Sequence, residues 1–212
     1  LTRDPIEEQG GINLYAFCGN NGINAYDSLG FVLEPLSTAD AKNFWTMFAL
    51  VYFQGFKGHH ISAEMLLLAL YYPFSGETYE FEEGSNLSGA LKSSKEYKSI
   101  IDNAIRSQKD GYKFYNEHTS TEFTDGDLKT CVGKTAMSFN GEACKSKGHA
   151  RLNLRVTFSN RYDFDLWGEK EIEKYGHILV IGNNMAHYDQ LRGVITPYWW
   201  RATFDETRRW PW

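Results

Sequence analysis

An α+β domain is the fold class this sequence predicts, and three features point to it. Apolar residues recur at helical spacing in three segments between residues 37 and 108. From residue 111 the period shortens to two, with aromatic and β-branched residues alternating with polar ones. The helical segments precede the alternating ones, which suits helices packed on an antiparallel sheet rather than a βαβ repeat. At 212 residues, 42% of them hydrophobic, the chain is long enough to bury a substantial core.

Each element can be justified in order. "STADAKNFWTMFALVYFQ" (37–54) predicts a helix capped by Ser37 or Thr38, with Asp40 at its positive end. Its apolar residues cover too much of the circumference for a surface helix. "GFKGHH" ends it. "SAEMLLLALYY" (62–72) predicts a second helix, stopped by Pro73, and the two together a buried helical hairpin. A third helix over 94–108 places Tyr97, Ile100, Ile101 and Ala104 on one face. "GYKFY", "LKTCVGKTAMSFN" and "ARLNLRVTFSN" read as strands of an antiparallel sheet. "KYGHILV", which holds His177, reads as a further strand, and "GNNMAHYDQLRG" (182–193) as a loop. The last seventeen residues hold four of the six tryptophans, which would pack on a sheet or cover its edge.

Composition narrows the function classes. The net charge of −5, with no basic block, gives nucleic-acid binding no support. Cys18, Cys131 and Cys144 make neither a disulfide framework nor a zinc-site spacing; Cys131 and Cys144 are candidates for a bridge across a hairpin. The longest apolar run, 44–53, is too short to cross a bilayer. The sequence leaves cofactor and metal use open.

The first thirty residues have a different character. "QGG" (9–11) and "GNNG" (19–22) are turn clusters, and "INLYAF" (12–17) alternates as a half-buried strand does. Such a segment cannot bury its own face and needs a sheet to dock on. Arg3-Asp4-Pro5, Gly10-Gly11, Asn13-Leu14-Tyr15, Phe17, Asn20, Asp27 and Gly30 resemble the end of the Rhs (YD-repeat) core, the repeat-associated motif that closes a large β-shell. The resemblance implies that residues 1–30 end such a core and that residues 31–212 are its variable C-terminal toxin region. It implies delivery to a rival cell as part of a larger protein, with the rest of the shell and an immunity protein as partners. It also implies that Asp4 and Asp27 form an aspartyl-protease-like pair that releases the tail, two carboxylates sharing a proton. From residue types alone the same two aspartates are turn formers.

Chemistry in the tail centres on "FSNRYDFDLWGE" (158–169). If 162–165 is extended, Asp163 and Asp165 share one face, as an acid/base or metal-binding pair, with Tyr162 and Trp167 as flanking binding residues. The plain alternative is that both aspartates cap turns at a strand end. "LALYYPFSGETYEF", "DLKTCVGKTAMSFNG" and "VTFSNRYDFD" together resemble toxin domains of the colicin M type. In that family aspartates at the matching strand end serve hydrolysis of a lipid-linked cell-wall precursor, which implies action in the target envelope. Tyr162 and Asp163 match its Tyr-Asp, and His177 and His187 are the candidates for the partner histidine. "GFKGHHIS" (55–62) resembles the His-His of HNH-like nucleases, or is a polar turn opening a helix. His118 and His149 read as solvated loop residues. Membrane damage by the apolar hairpin, and a non-catalytic plug of the shell, are the other function classes.

Overall fold

The computed structural model describes residues 25–26, 34–35, 37–72, 76–107, 110–124, 126–146, 149–168, 170, 173 and 177–211. Asp4, Asp27 and the expected junction at Gly30 lie outside the described residues. In chain order the elements are β1 (Ala25–Tyr26), β2 (Glu34–Pro35), α1 (Thr38–Met47), a π-helix (Phe48–Lys57), α2 (His60–Tyr71), β3 (Tyr79–Phe81), α3 (Asn86–Ser93), α4 (Lys95–Ser107), β4 (Tyr112–Glu122), α5 (Gly126–Cys131), β5 (Lys134–Ser146), β6 (His149–Tyr162), α6 (His177–Leu191) and β7 (Tyr198–Pro211). The fold is α+β, as the periodicity predicts. It divides into two compact units, one drawn from residues 1–48 and 163–196, the other from 49–162 and 197–212.

In the first unit, β1 and β2 form a short antiparallel ladder. Helix α1 starts where its cap predicts: the Ser37 hydroxyl accepts from the Asp40 amide at 3.1 Å. Trp45 of α1 is buried, and its Nε1 donates at 2.8 Å to the carboxylate of Asp189 in α6. Asp189 is fully buried, and Arg192 donates to its other oxygen at 3.1 Å. A buried carboxylate is tolerable only with such donors, so this triad fixes the helix's position.

At Phe48 the helix widens into the π register. Ala41 and Trp45 are the buried residues of α1, and Ala49 and Phe53 those of the π-helix. Gly58, at φ +66°, ends the segment in the left-handed region that favours glycine.

The second unit is built on a five-stranded sheet of order β3-β7-β6-β5-β4. Strands β4 to β7 pair antiparallel, and short β3 joins β7 in parallel. The alternation predicted for β6 is met: Leu152, Leu154, Val156 and Phe158 are buried. Val156 lies opposite Phe204 of β7 and Phe139 of β5. Tyr97 of α4 packs edge-on against Phe158 and Phe204, with ring centres 5.9 and 5.6 Å apart. Its hydroxyl donates at 3.0 Å to Glu206, which Arg208 also holds at 2.8 Å. Trp200 is buried on β7 while Trp199 is exposed, and Tyr198–Pro211 is itself a strand of the sheet, paired with β6 along its length and with β3 at residues 200–202.

Helix α2 has no side-chain cap of its own from His59. Asp127 at the start of α5 supplies one: its carboxylate accepts from the Ile61 amide at 2.6 Å, the Ser62 amide at 2.9 Å and the Ser62 hydroxyl. Here the structure corrects the reading of 128–131 as strand. Gly126 and Gly133, at φ +65° and +57°, bracket a helical turn that delivers this cap, and the strand begins only at Lys134. His118 and His149 also lie in strands, β4 and β6, rather than loops. Cys131 and Cys144 are both free thiols, so the hairpin bridge does not form. Cys131 instead donates to the Asp127 carbonyl oxygen at 3.2 Å.

Candidate functional site

Strand β6 ends at Tyr162, and residues 163–168 run on without regular secondary structure. The two-residue alternation that would put Asp163 and Asp165 on one face therefore stops before them. What positions them is α6. Its first residues were expected as strand and its remainder as loop; the segment is one fifteen-residue helix. A short run of Ile, Leu and Val does not separate the two states by itself. The Asp189 anchor and the burial of Val180, Met185 and Ala186 decide for helix.

Four polar side chains of α6 grip the backbone of the 163–168 strap. His187 Nδ1 lies 2.6 Å from the Phe164 carbonyl oxygen, and Gln190 Oε1 accepts from the Phe164 amide at 3.0 Å. Asn184 makes a closed pair with Trp167, accepting from its amide at 2.7 Å and donating to its carbonyl at 2.9 Å. Asn183 donates to the Asp165 carbonyl. Residues 183, 187 and 190 stand at i, i+4 and i+7, one face of a helix. That spacing was the signal in "GNNMAHYDQLRG" that a loop reading missed.

The Phe164 carbonyl can only accept, so His187 donates from Nδ1, and in the neutral imidazole Nε2 is then the acceptor nitrogen. No hydrogen-bond partner of Nε2 occurs among the described residues. The imidazole is part-buried and stacks edge-on with Tyr188, ring centres 5.8 Å apart. Asp163, half-buried, and Asp165, exposed, flank the residue that His187 holds. His187 of α6 thus holds the backbone of the strap at the residue between the two aspartates.

The other candidates are placed elsewhere. His177 is the first residue of α6, ten residues and about 15 Å of helix from His187. Its side chain lies outside the described residues. Trp167 is half-buried, with its backbone in the Asn184 clasp. Tyr162 is only 7% exposed, in the core of the second unit beside Tyr198, and burial first, then Cys131 and Asp127, pushes its phenol well up from the usual range. His59 stacks on Phe53 and faces Thr130 Oγ1 at 3.4 Å, while His60 is exposed. Among the described residues no group of three or more His, Cys, Asp or Glu could hold a metal ion, and no helix is long and apolar enough to cross a membrane.

No family model and no curated protein matches the chain. Among solved structures it is similar to the bacteriocin syringacin M from Pseudomonas syringae pv. tomato DC3000, at 8% identity over 71% of this chain and 52% of that one, with a TM-score of 0.36. A point mutant of syringacin M aligns over the same shares at 10% identity and a TM-score of 0.39. Pectocin M2 aligns at 13% identity over 87% of this chain and 73% of its own, with a TM-score of 0.38. The chain thus spans about half the length of the syringacin M structures it matches, 52% of each. Likenesses this remote assign neither a reaction nor a residue.

Proposed function

We propose that the chain is the effector end of a larger Rhs-type bacterial toxin, and that its tail is a hydrolase working at the strap held by α6. The observation that supports the reading is the hydrogen bond from His187 Nδ1 to the carbonyl oxygen of Phe164, the residue between Asp163 and Asp165 in the chain. In this reading His187 takes a proton from the attacking water, and Asp163 protonates the leaving group or orients the imidazolium. Asp165, exposed, binds substrate or stands in for Asp163.

The substrate class we propose is a lipid-linked cell-wall precursor, on the resemblance of Tyr162-Asp163 and its surrounding segments to colicin M-type toxins. Action then falls in the target envelope, and a neighbouring immunity protein and the rest of the shell are the proposed partners. Release from the shell is assigned to Asp4 and Asp27.

Expression of residues 31–212 in the bacterial cytoplasm and periplasm tests the reading. Harm confined to the periplasm is expected. His187→Asn keeps an N–H for the Phe164 carbonyl and removes the base, so toxicity should vanish with stability within about 1 kcal/mol of the parent. Asp163→Ala should behave likewise. Harm in the cytoplasm would favour a nuclease, and full toxicity of His187→Asn would remove the proposed base.

A further inference from the structure

The second unit carries an apolar tip that the proposed reaction does not use. Phe56 of the π-helix is 80% exposed, more than any other large apolar side chain among the described residues. Leu50 and Val51 of the same helix are 43% and 42% exposed. Hydrogen bonds in the π register run between residues five apart, so Val51 and Phe56 stand about one turn apart on one side. Ala49 and Phe53 are the buried residues of this helix. Gly55 and Gly58 flank the tip, and a Cβ added at Gly58 would meet nothing within 4 Å.

Charge and hydrogen-bonding capacity decide what covers this face. The chain carries 27 Asp and Glu residues and a net charge of −5, yet no carboxylate falls between Asp40 and Glu64. An anionic surface repels the molecule as a whole, so only a segment clear of carboxylates can approach one. Lys57, next to Phe56, is exposed and has no ion-pair partner among the described residues. Its Nζ lies 5.7 Å from the Tyr52 ring centre, a contact that leaves the ammonium's donors open. Glu64 is half-buried on α2, and the groove it lines reaches this helix at Gln54 without including Phe56 or Lys57. Apart from Tyr52, Gln54 and Lys57 the π-helix is apolar. A specific protein interface carries a polar rim with about one hydrogen bond per 100–200 Å², which a face this poor in polar groups does not supply.

We infer that this tip docks the molecule on an anionic lipid surface, with Phe56, Leu50 and Val51 entering the interfacial layer and Lys57 on the headgroup phosphates. Exposed apolar side chains beside an unpaired cation favour lying in such an interface, the first through buried area and the second through the surface potential. Among the described residues no helix is long and apolar enough to cross the bilayer, so the binding expected is peripheral. The tip shares no residue with the strap, so vesicle binding and toxicity fail separately.

Flotation of the full chain with vesicles of phosphatidylcholine, alone or with about one-third phosphatidylglycerol, tests it. The chain should float with the mixed vesicles, several-fold less with phosphatidylcholine alone, and less as salt rises. Phe56→Ala should weaken binding to the mixed vesicles about tenfold. Lys57→Gln should weaken it about fivefold there and leave phosphatidylcholine binding unchanged. Phe56→Trp, which keeps an aromatic anchor, should bind at least as well as the parent. All three side chains are exposed, so the thermal midpoints should match the parent's and separate lost docking from lost folding. Absence of flotation with the mixed vesicles, or flotation that Phe56→Ala leaves unchanged, would overturn the inference. Release of a dye entrapped in the vesicles would do the same, since the segment would then breach the bilayer rather than dock on it. So would self-association of the chain without lipid that Phe56→Ala abolishes, because a second copy would then cover the tip.

Discussion

Asp127 illustrates how far one side chain can reach in this molecule. The N-terminus of α2 exposes amides that His59 does not satisfy, and the Asp127 carboxylate takes two of them from a distant point in the chain. Asp127→Ala would leave both without a partner, and would leave the nearly fully buried Ser62 hydroxyl only the Asp127 carbonyl oxygen, 3.4 Å away, as acceptor. We expect a loss of about 1–2 kcal/mol in urea unfolding, chiefly the lost cap with a weakened hydrogen bond of the buried hydroxyl. A change under about 0.5 kcal/mol would mean that water replaces the cap. Titration is a second residue-scale property. Burial, with Asp127 adding, raises the Cys131 thiol above its ordinary 9.0, and burial also raises Tyr97, Tyr162 and Tyr198 above 10.0. Cys131 is partly exposed as a residue, yet its sulfur is enclosed by protein. Folded values above unfolded ones mean that the unfolded chain releases these protons first. Their contribution is intact below pH 9 and lost as pH rises beyond it. The thermal midpoint should therefore fall from pH 9 upward, and Cys131→Ala should flatten the first part of that fall.

Elements are fixed by pairs of constraints rather than by propensity alone. Strand β5 carries Gly141 at φ +149°, facing Leu154 of β6 and Phe114 of β4. A Cβ there would overlap the Asn153 carbonyl oxygen. The neighbouring ladder shifts register between Phe114 and Glu117, where Asn116 takes φ 48° and its amide donates to Asn140 at 2.5 Å. Gly141 thus lets three strands stay paired through a local irregularity. Gly141→Ala should cost at least about 2 kcal/mol, through strained backbone and the carbonyl clash together. Wild-type stability in that variant would show that β6 can shift locally without cost. Helix α6 makes the complementary point: a Gly-Asn-rich sequence forms a helix because Asn183, Asn184, His187 and Gln190 each find strap backbone to bond.

For the whole molecule, the proposal that the tail is freed from a shell makes a prediction about the parent protein. If Asp4 and Asp27 act as a pair, the parent should split beside Leu29 and Gly30, and Asp27→Asn should leave it intact with the fold unharmed. A gel of the parent and the variant decides it. A single uncut band for the parent would mean that the pair is inactive there. The isolated chain should stay whole in the same assay, because two carboxylates share a proton only when held close together.

Sequence alone determined the class of the fold and much of its core. Period-two burial in β6, the Ser37 cap of α1, the stop before Pro73 and the Tyr97–Ile101 face of α4 are local patterns that local physics enforces. It also drew attention to Asp163 and Asp165. Tertiary structure decided the rest. Whether Ile178–Ile181 is helix or strand depends on a buried Asp189–Trp45 bond spanning more than a hundred residues, which no local window contains. Whether 127–131 is helix depends on the unsatisfied amides of α2. His187 and His177 are both late histidines in one segment, and only the fold shows that His187 meets the Phe164 carbonyl. Periodicity records which face of an element is buried, but a polar side chain's partner is chosen by packing in three dimensions.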